Sequence, residues 1–214
     1  MPARQDWTQP WFAPWRDAGQ AVERELAAGR PLHDALDAAG PAPVRFVAQE
    51  ALPAGTAYEQ FIFGTRQCPV RPGLHDFFNG LVWQQFPAAK SALNRLQAGE
   101  IARQGIGARR GPVRDAITVF DENGALLAAP PPLWEALLAR EWRRLFVELR
   151  PLWGQARLWI FGHALLEQLA VAPRKPLTAH VWRGDAALDS GAAADAWLAQ
   201  RCTAEALANA NHRP

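Results

Sequence analysis

Two short stretches set histidines and carboxylates among large apolar side chains: Leu74-His75-Asp76-Phe77-Phe78-Asn79 and Phe161-Gly162-His163-Ala164-Leu165-Leu166-Glu167. An ionisable group in such surroundings is costly unless it is paired, hydrogen-bonded or bound to a metal. These stretches therefore point to a site. His75 and Asn79 lie one helical turn apart, at the edge of the apolar arc made by Leu74, Phe77, Phe78, Leu81, Val82 and Phe86. Asp76 points about a quarter-turn further round, or caps the helix. His163 and Glu167 are also one turn apart and share a face. Such a pair can chelate a divalent ion, with His75 as a further ligand, or act as an acid/base couple. The plainer alternatives are a buried histidine bonded to a carbonyl, a capping aspartate and a surface His–Glu pair.

A third group is Arg114-Asp115 together with Asp121. Read as a strand, Ile117–Asp121 puts Asp121 on the inward face with Ile117 and Val119. Arg114 is then placed to hold an anion, and Asp115 to pair with it or with a site group. Arg103 to Gly111 is basic and glycine-rich, and arginines on such a loop can grip phosphate bidentately. Its glycine spacing matches neither a Walker loop nor a dinucleotide fingerprint, so a solvated loop is its default reading. The chain has no Gly-x-Ser-x-Gly, His-Glu-x-x-His or Cys-x-x-Cys, which leaves serine acyl transfer, zincin proteolysis and thioredoxin-type redox without support.

The elements that must position these groups are a mixture of helices and strands without a regular βα repeat. Trp7 to Trp15 carries three tryptophans at helical spacing, but Pro10 and Pro14 bar a regular helix, so an extended arm is expected. Helices are expected over 17–28 and 32–39, and strands over 44–48 and 58–63. A long helix over 74–104 should be kinked or divided by Pro87. Strand 116–120, the turn Asp121-Glu122-Asn123-Gly124 and strand 125–127 read as an antiparallel hairpin. A helix follows from Pro130 to about Leu149, with Glu141 inside its apolar stripe and in need of an arginine partner. Further elements are a strand over 157–161, a helix to 170, a strand over 178–182 and an alanine-rich helix over 192–208. The expected class is α+β: a small mixed sheet with an antiparallel pair, packed by several helices. The organisation is an arm over residues 1–16 and a single domain over 17–214.

Composition bounds the rest. The chain has 214 residues, 49% hydrophobic and 21% charged, enough for a real core. Its net charge of +2 does not by itself imply nucleic acid. Two distant cysteines, no secretory leader and no membrane-spanning run fit a soluble cytoplasmic protein with no membrane partner.

The segments His75-Asp76-Phe77-Phe78-Asn79, Trp83-x-x-Phe86-Pro87-x-x-Lys90, Arg114 to Gly124 and Phe161 to Glu167 together resemble the bacterial family known as domain of unknown function 3025. The resemblance runs from about Val44 to Leu177. It implies an architecture and a set of marked residues, and a Pro-, Gly- and Trp-rich segment beyond Pro214, but it implies no activity.

The functional expectation is a metal-assisted hydrolase acting on a phosphorylated or otherwise anionic substrate, with a divalent ion as its cofactor. His75 or His163 would be base or ligand, Asp76, Asn79, Asp115, Asp121 and Glu167 the polar partners, and Arg114 the anion anchor. This requires the two histidines to lie well within about 15 Å of each other, given the short reach of ligands in one site. The alternative is a non-catalytic module that binds protein or nucleic acid, with the same residues as a structural network.

Overall fold

The computed structural model describes residues 5–105, 111–173 and 175–208. The tip of the basic glycine-rich loop, 106–110, lies outside the described residues. The arm enters as a 3-10 turn, Pro10–Trp15, where the prolines forbid an α-helix, rather than as a fully extended strand. It inserts Trp7, Phe12 and Trp15 into the main core. Phe12 stacks on Phe78 with ring centroids 5.8 Å apart, and Trp15 packs on Phe86 at the same distance. Each such ring contributes about 2–3 kcal/mol by leaving water. Trp7 also lies where a Cβ on Gly19 would stand, so only glycine fits at that point of the next helix.

That helix is α1 (Arg16–Ala27), followed by α2 (Leu32–Ala39) and strand β1 (Arg45–Ala48). Residues expected as a strand form α3 (Tyr58–Thr65) instead. Their aromatic and β-branched side chains favour a strand locally. However, Tyr58 and Ile62 share a helical face that packs on the core, while Phe63 is 45% exposed. Strand β2 (Gln67–Val70), unexpected from the sequence, pairs in parallel with β1. Helices α4 (Leu74–Gln85) and α5 (Pro87–Gln104) are the long helix divided at Pro87, as the proline requires. The new N-terminus of α5 is capped from far along the chain: Asp195 accepts hydrogen bonds from the Ala88 and Ala89 amides at 3.0 and 2.8 Å.

The expected hairpin is absent. Residues 112–123 form α6 (Pro112–Asn123), opened by a proline at its first turn. Its β-branched residues read as a strand, yet Arg114, Ile117 and Phe120 recur at helical spacing and are the residues it buries. Gly124 begins strand β3 (Gly124–Ala128) directly, in extended conformation. A Cβ at Gly124 would lie 2.4 Å from the Phe120 carbonyl oxygen, so glycine permits the close approach rather than a turn.

Helix α7 (Pro131–Leu138) ends at Leu138 rather than near Leu149, at a turn where Arg140 adopts a left-handed φ of 57°. A π-helical turn (Arg144–Glu148) and a 3-10 turn (Arg150–Gln155) follow. The expected apolar stripe is therefore broken, and Glu141 lies on the surface paired with Arg144 at 2.8 Å. Strand β4 (Arg157–Ile160), helix α8 (His163–Val171), strand β5 (His180–Arg183) and helices α9 (Gly191–Arg201) and α10 (Ala204–Ala208) complete the chain. The three-stranded sheet has the order β4-β3-β5, with β4 antiparallel and β5 parallel to β3. The fold is α+β with a small mixed sheet. Its main core lies between α4, α5, α6 and this sheet, around Phe77, Phe78, Phe86, Phe120 and Phe161.

Candidate active site

Helices α4 and α8 pack together and bring His75 and His163, 88 residues apart, to 3.1 Å between their Nε2 atoms. The rings meet edge to face, with centroids 4.5 Å apart. Behind His75, its Nδ1 lies 3.0 Å from Glu167 Oε2. Behind His163, Nδ1 lies 3.7 Å from Asp121 Oδ2 and has no hydrogen-bond partner. Asp121 in turn accepts a 2.6 Å bond from the Lys90 ammonium. Lys90 also donates to Asn79 Oδ1 at 2.9 Å and stands 5.3 Å from the centre of the Trp83 ring. The Asn79 amide reaches the Tyr58 hydroxyl at 3.4 Å, which donates to the Pro69 carbonyl at 3.1 Å.

The local sequence explains why these groups meet. On α4, His75, Asn79 and Trp83 recur at four-residue steps and face the same side as the stripe Lys90, Asn94 and Gln97 on α5. On α6, Thr118, Asp121 and Glu122 face them. Between these helices and α3 lies a cavity of about 360 Å³, also lined by Gln49, Arg71, Asp76 and His163. That volume suits a small molecule. Among the described lining residues, Glu59, Asp76, Asp121 and Glu122 outnumber the basic Arg71 and Lys90.

Of the residues singled out in the sequence, the structure thus gathers His75, Asn79, Asp121 and His163 at the cavity wall, with Glu167 behind His75. Asp76 is also in the wall, but it is held by Arg71, whose backbone amide and Nε bond to Asp76 Oδ2 at 2.6 and 3.0 Å. Two expectations fail. Arg114 is buried outside the cavity lining with its Nε unpartnered, and Asp115 is exposed and also outside the lining. On the helix, 114 and 115 fall on the same side as 118, 121 and 122 but one to two turns nearer the start of α6, which sets them off along its axis rather than around it. The expected metal chelate also fails. The His75 ring stands between Glu167 and His163, so the carboxylate faces Nδ1 while the second histidine faces Nε2. Among the described residues, no group of three or more His, Cys, Asp or Glu is arranged to hold a metal ion.

Lys90, Tyr58 and Arg71 were not singled out as site residues from the sequence. One signal was there for Lys90: the chain has 23 basic residues, and only Lys90 and Lys175 are lysine. The polar spacing Lys90, Asn94 and Gln97 along an otherwise packed helix was another. For Tyr58 no signal existed, since its role depends on α3 being a helix.

The electrostatics follow from burial. Burial holds His163 down at about 4, Lys90 and His75 push the same way, and Asp121 only partly opposes them. Burial works to raise Asp121, but the charges of Lys90 and His163 and the Lys90 hydrogen bond outweigh it and leave the carboxyl below its ordinary range. Burial drives the Cys68 and Cys202 thiols up to about 12, so neither is a nucleophile at neutral pH. The His163 shift makes stability pH-dependent. The unfolded chain takes up a proton near 6.5 and the folded one only near 4, so stability from this group is complete above pH 6.5 and falls as pH drops towards 4. The loss amounts to about 3 kcal/mol at most. Urea denaturation between pH 4 and 7 should show a slope of this sign that disappears in His163→Gln.

The fold and site thus define a helix-rich α+β protein with a polar histidine-lined cavity. Over residues 44–214 the chain matches the family described as "Protein of unknown function (DUF3025)", and it belongs to that family. No curated protein and no solved structure matches the chain.

Proposed function

We propose that the protein is an acid–base enzyme, a hydrolase of a small polar substrate, with the His75–His163 pair as its proton-transfer centre. One observation carries the reading: two Nε2 atoms face each other at 3.1 Å while each Nδ1 points to a carboxylate. An ionised carboxylate only accepts, so Glu167 favours a proton on His75 Nδ1 and leaves His75 Nε2 an acceptor. The 3.1 Å contact then carries a single shared proton, donated by His163 Nε2, whose ring has no hydrogen-bond partner at Nδ1. His75 has 41% of its side chain exposed, against 7% for His163, so it is the member that meets substrate.

In this reading the histidine pair takes a proton from the attacking water through His75 and returns it to the leaving group, ending in its starting protonation state, and His163 holds the His75 imidazole in place. Glu167 fixes the His75 ring, and the Asp121 carboxylate faces His163 Nδ1 at 3.7 Å. Lys90 holds Asp121. The excess of carboxylates in the lining favours a substrate that is neutral or cationic where it touches the wall, over the anionic one expected from Arg114.

The test is a panel of chromogenic carboxylic esters, amides and phosphoesters, assayed with the wild type, His75→Gln and His163→Gln. At least one class should be turned over, with a loss of about 10²–10⁴-fold in His75→Gln at unchanged fold. No turnover across the panel, or turnover indifferent to His75→Gln, overturns the proposal. Elemental analysis of the same preparation that found one tightly held metal per chain, lost in the variant, would replace the shared proton by that ion.

A further inference from the structure

Outside the cavity lining, the end of α7 and the segment between α7 and β4 expose apolar surface that the fold does not use. Leu138 is 65% exposed, Trp142 52%, Phe146 56% and Val147 63%. The rings are ordered: Trp142 stacks on Phe146 at 6.5 Å, and Phe146 on Trp153 at 5.9 Å, with interplanar angles of 14° and 7°. The irregular backbone holds them there. A π-helical turn carries Phe146 and Val147, and Trp153 is pinned by a 2.9 Å bond from its indole to the Leu145 carbonyl. Buried side chains would ordinarily occupy such positions, since apolar patches of this kind mark interaction surfaces.

The same segment concentrates charge. Residues 138–157 hold five arginines against two glutamates, leaving +3, whereas the whole chain carries +2. Arg140, Arg143, Arg150 and Arg157 are exposed. Glu148 lies 3.8 Å from Arg143 and Glu141 lies 2.8 Å from Arg144, so both glutamates are already matched by arginines within the patch.

We propose that this Arg-rich aromatic face docks on an anionic lipid bilayer. Aromatic and aliphatic side chains ringed by arginine are the composition of a surface that lies in the headgroup region, with the apolar groups in the acyl boundary. Charge decides against a second copy of the chain, because a two-fold contact would set +3 against +3. The aliphatic groups decide against single-stranded nucleic acid: Leu138 and Val147, among the most exposed apolar side chains of the face, offer nothing to a base and suit lipid.

The experiment is co-sedimentation of the full chain with sucrose-loaded vesicles, either pure phosphatidylcholine or with 30 mol% phosphatidylglycerol (about one lipid in three, enough to set a negative surface potential). Binding to the anionic vesicles only is expected, and it should weaken on raising salt. Arg143→Glu should reduce it at least about fivefold, the contribution of one arginine near such a surface. Trp142→Ser/Phe146→Ser should abolish it. Arg143 is 88% exposed in its side chain, so that variant leaves the fold intact if the double variant does not. Failure to sediment with anionic vesicles, or equal binding by Arg143→Glu, overturns the proposal. So does binding of a thymidine oligonucleotide without vesicle binding, which would assign the face to nucleic acid.

Discussion

Lys90→Met lowers the unfolding free energy by about 3 kcal/mol, the lower end for breaking a buried ion pair. It drops the melting temperature by roughly 6–12 °C for a chain of this size. The ammonium is 95% shielded and bonds both Asp121, at 2.6 Å, and Asn79, at 2.9 Å. Methionine fills the same volume but leaves the carboxylate facing only His163, and leaves the Asn79 oxygen without its donor. Asp121 is 26% exposed, so water partly relieves it, which is why the lower end applies. Adding Asp121→Asn removes the stranded charge and should recover a substantial part of the loss, a coupling that a double-mutant cycle measures directly. Calorimetry on the three variants checks it. Independent, additive losses would mean that the pair does not stabilise the fold as described.

Gly162→Ala is the second large effect. The backbone at Gly162 is ordinary, with φ of −66°, so no strain argument applies. The obstacle is contact. An added Cβ would lie 2.4 Å from the Glu122 carbonyl oxygen and 2.6 Å from the Asn123 backbone. These are main-chain atoms at the end of α6, and they cannot rotate away. Gly162 also donates to the Gly124 carbonyl at 2.8 Å, fixing the crossing of β3 with the start of α8. Making room means separating α8 from α6, which costs about 3 kcal/mol as overpacking against fixed backbone. It also pulls His163 away from Asp121. The expected result is a melting temperature lower by roughly 6–12 °C, together with a changed histidine environment by NMR. Gly154→Ala is the control, because a Cβ there meets nothing within 4 Å. Equal melting temperatures for the two variants would refute the close approach.

Much of the site was legible because its members are costly residues in apolar company. His75, Asn79, His163 and Glu167 stand out at helical spacing in segments that are helices, and a period of 3.6 says which face they share. Asp121 was reached by a faulty route. Alternation along a supposed strand placed it inward, and the true helix α6 happens to do the same through Thr118, Asp121 and Glu122. Arg114 and Asp115 share that side of the helix but lie one to two turns nearer its start, outside the lining, a displacement along the axis that periodicity does not report.

The faces of α4 and α8, the break at Pro87, the α+β class and the short list of polar residues that burial would have to satisfy were all readable from local pattern. Patterns and proline geometry are local, so they survive without knowledge of the rest of the chain. That α3 and α6 are helices followed from long-range packing, α3 on α5 and α6 on α5 and α8, which overrode their strand-like composition. Tertiary packing also decided the order of groups within the cluster. Spacing brought His163 and Glu167 to one face, but the approach of α4 put the His75 ring between them. A pair that looked like a chelate became part of a row of two rings and two carboxylates. Contacts across 88 residues depend on how helices cross, and no local rule encodes that.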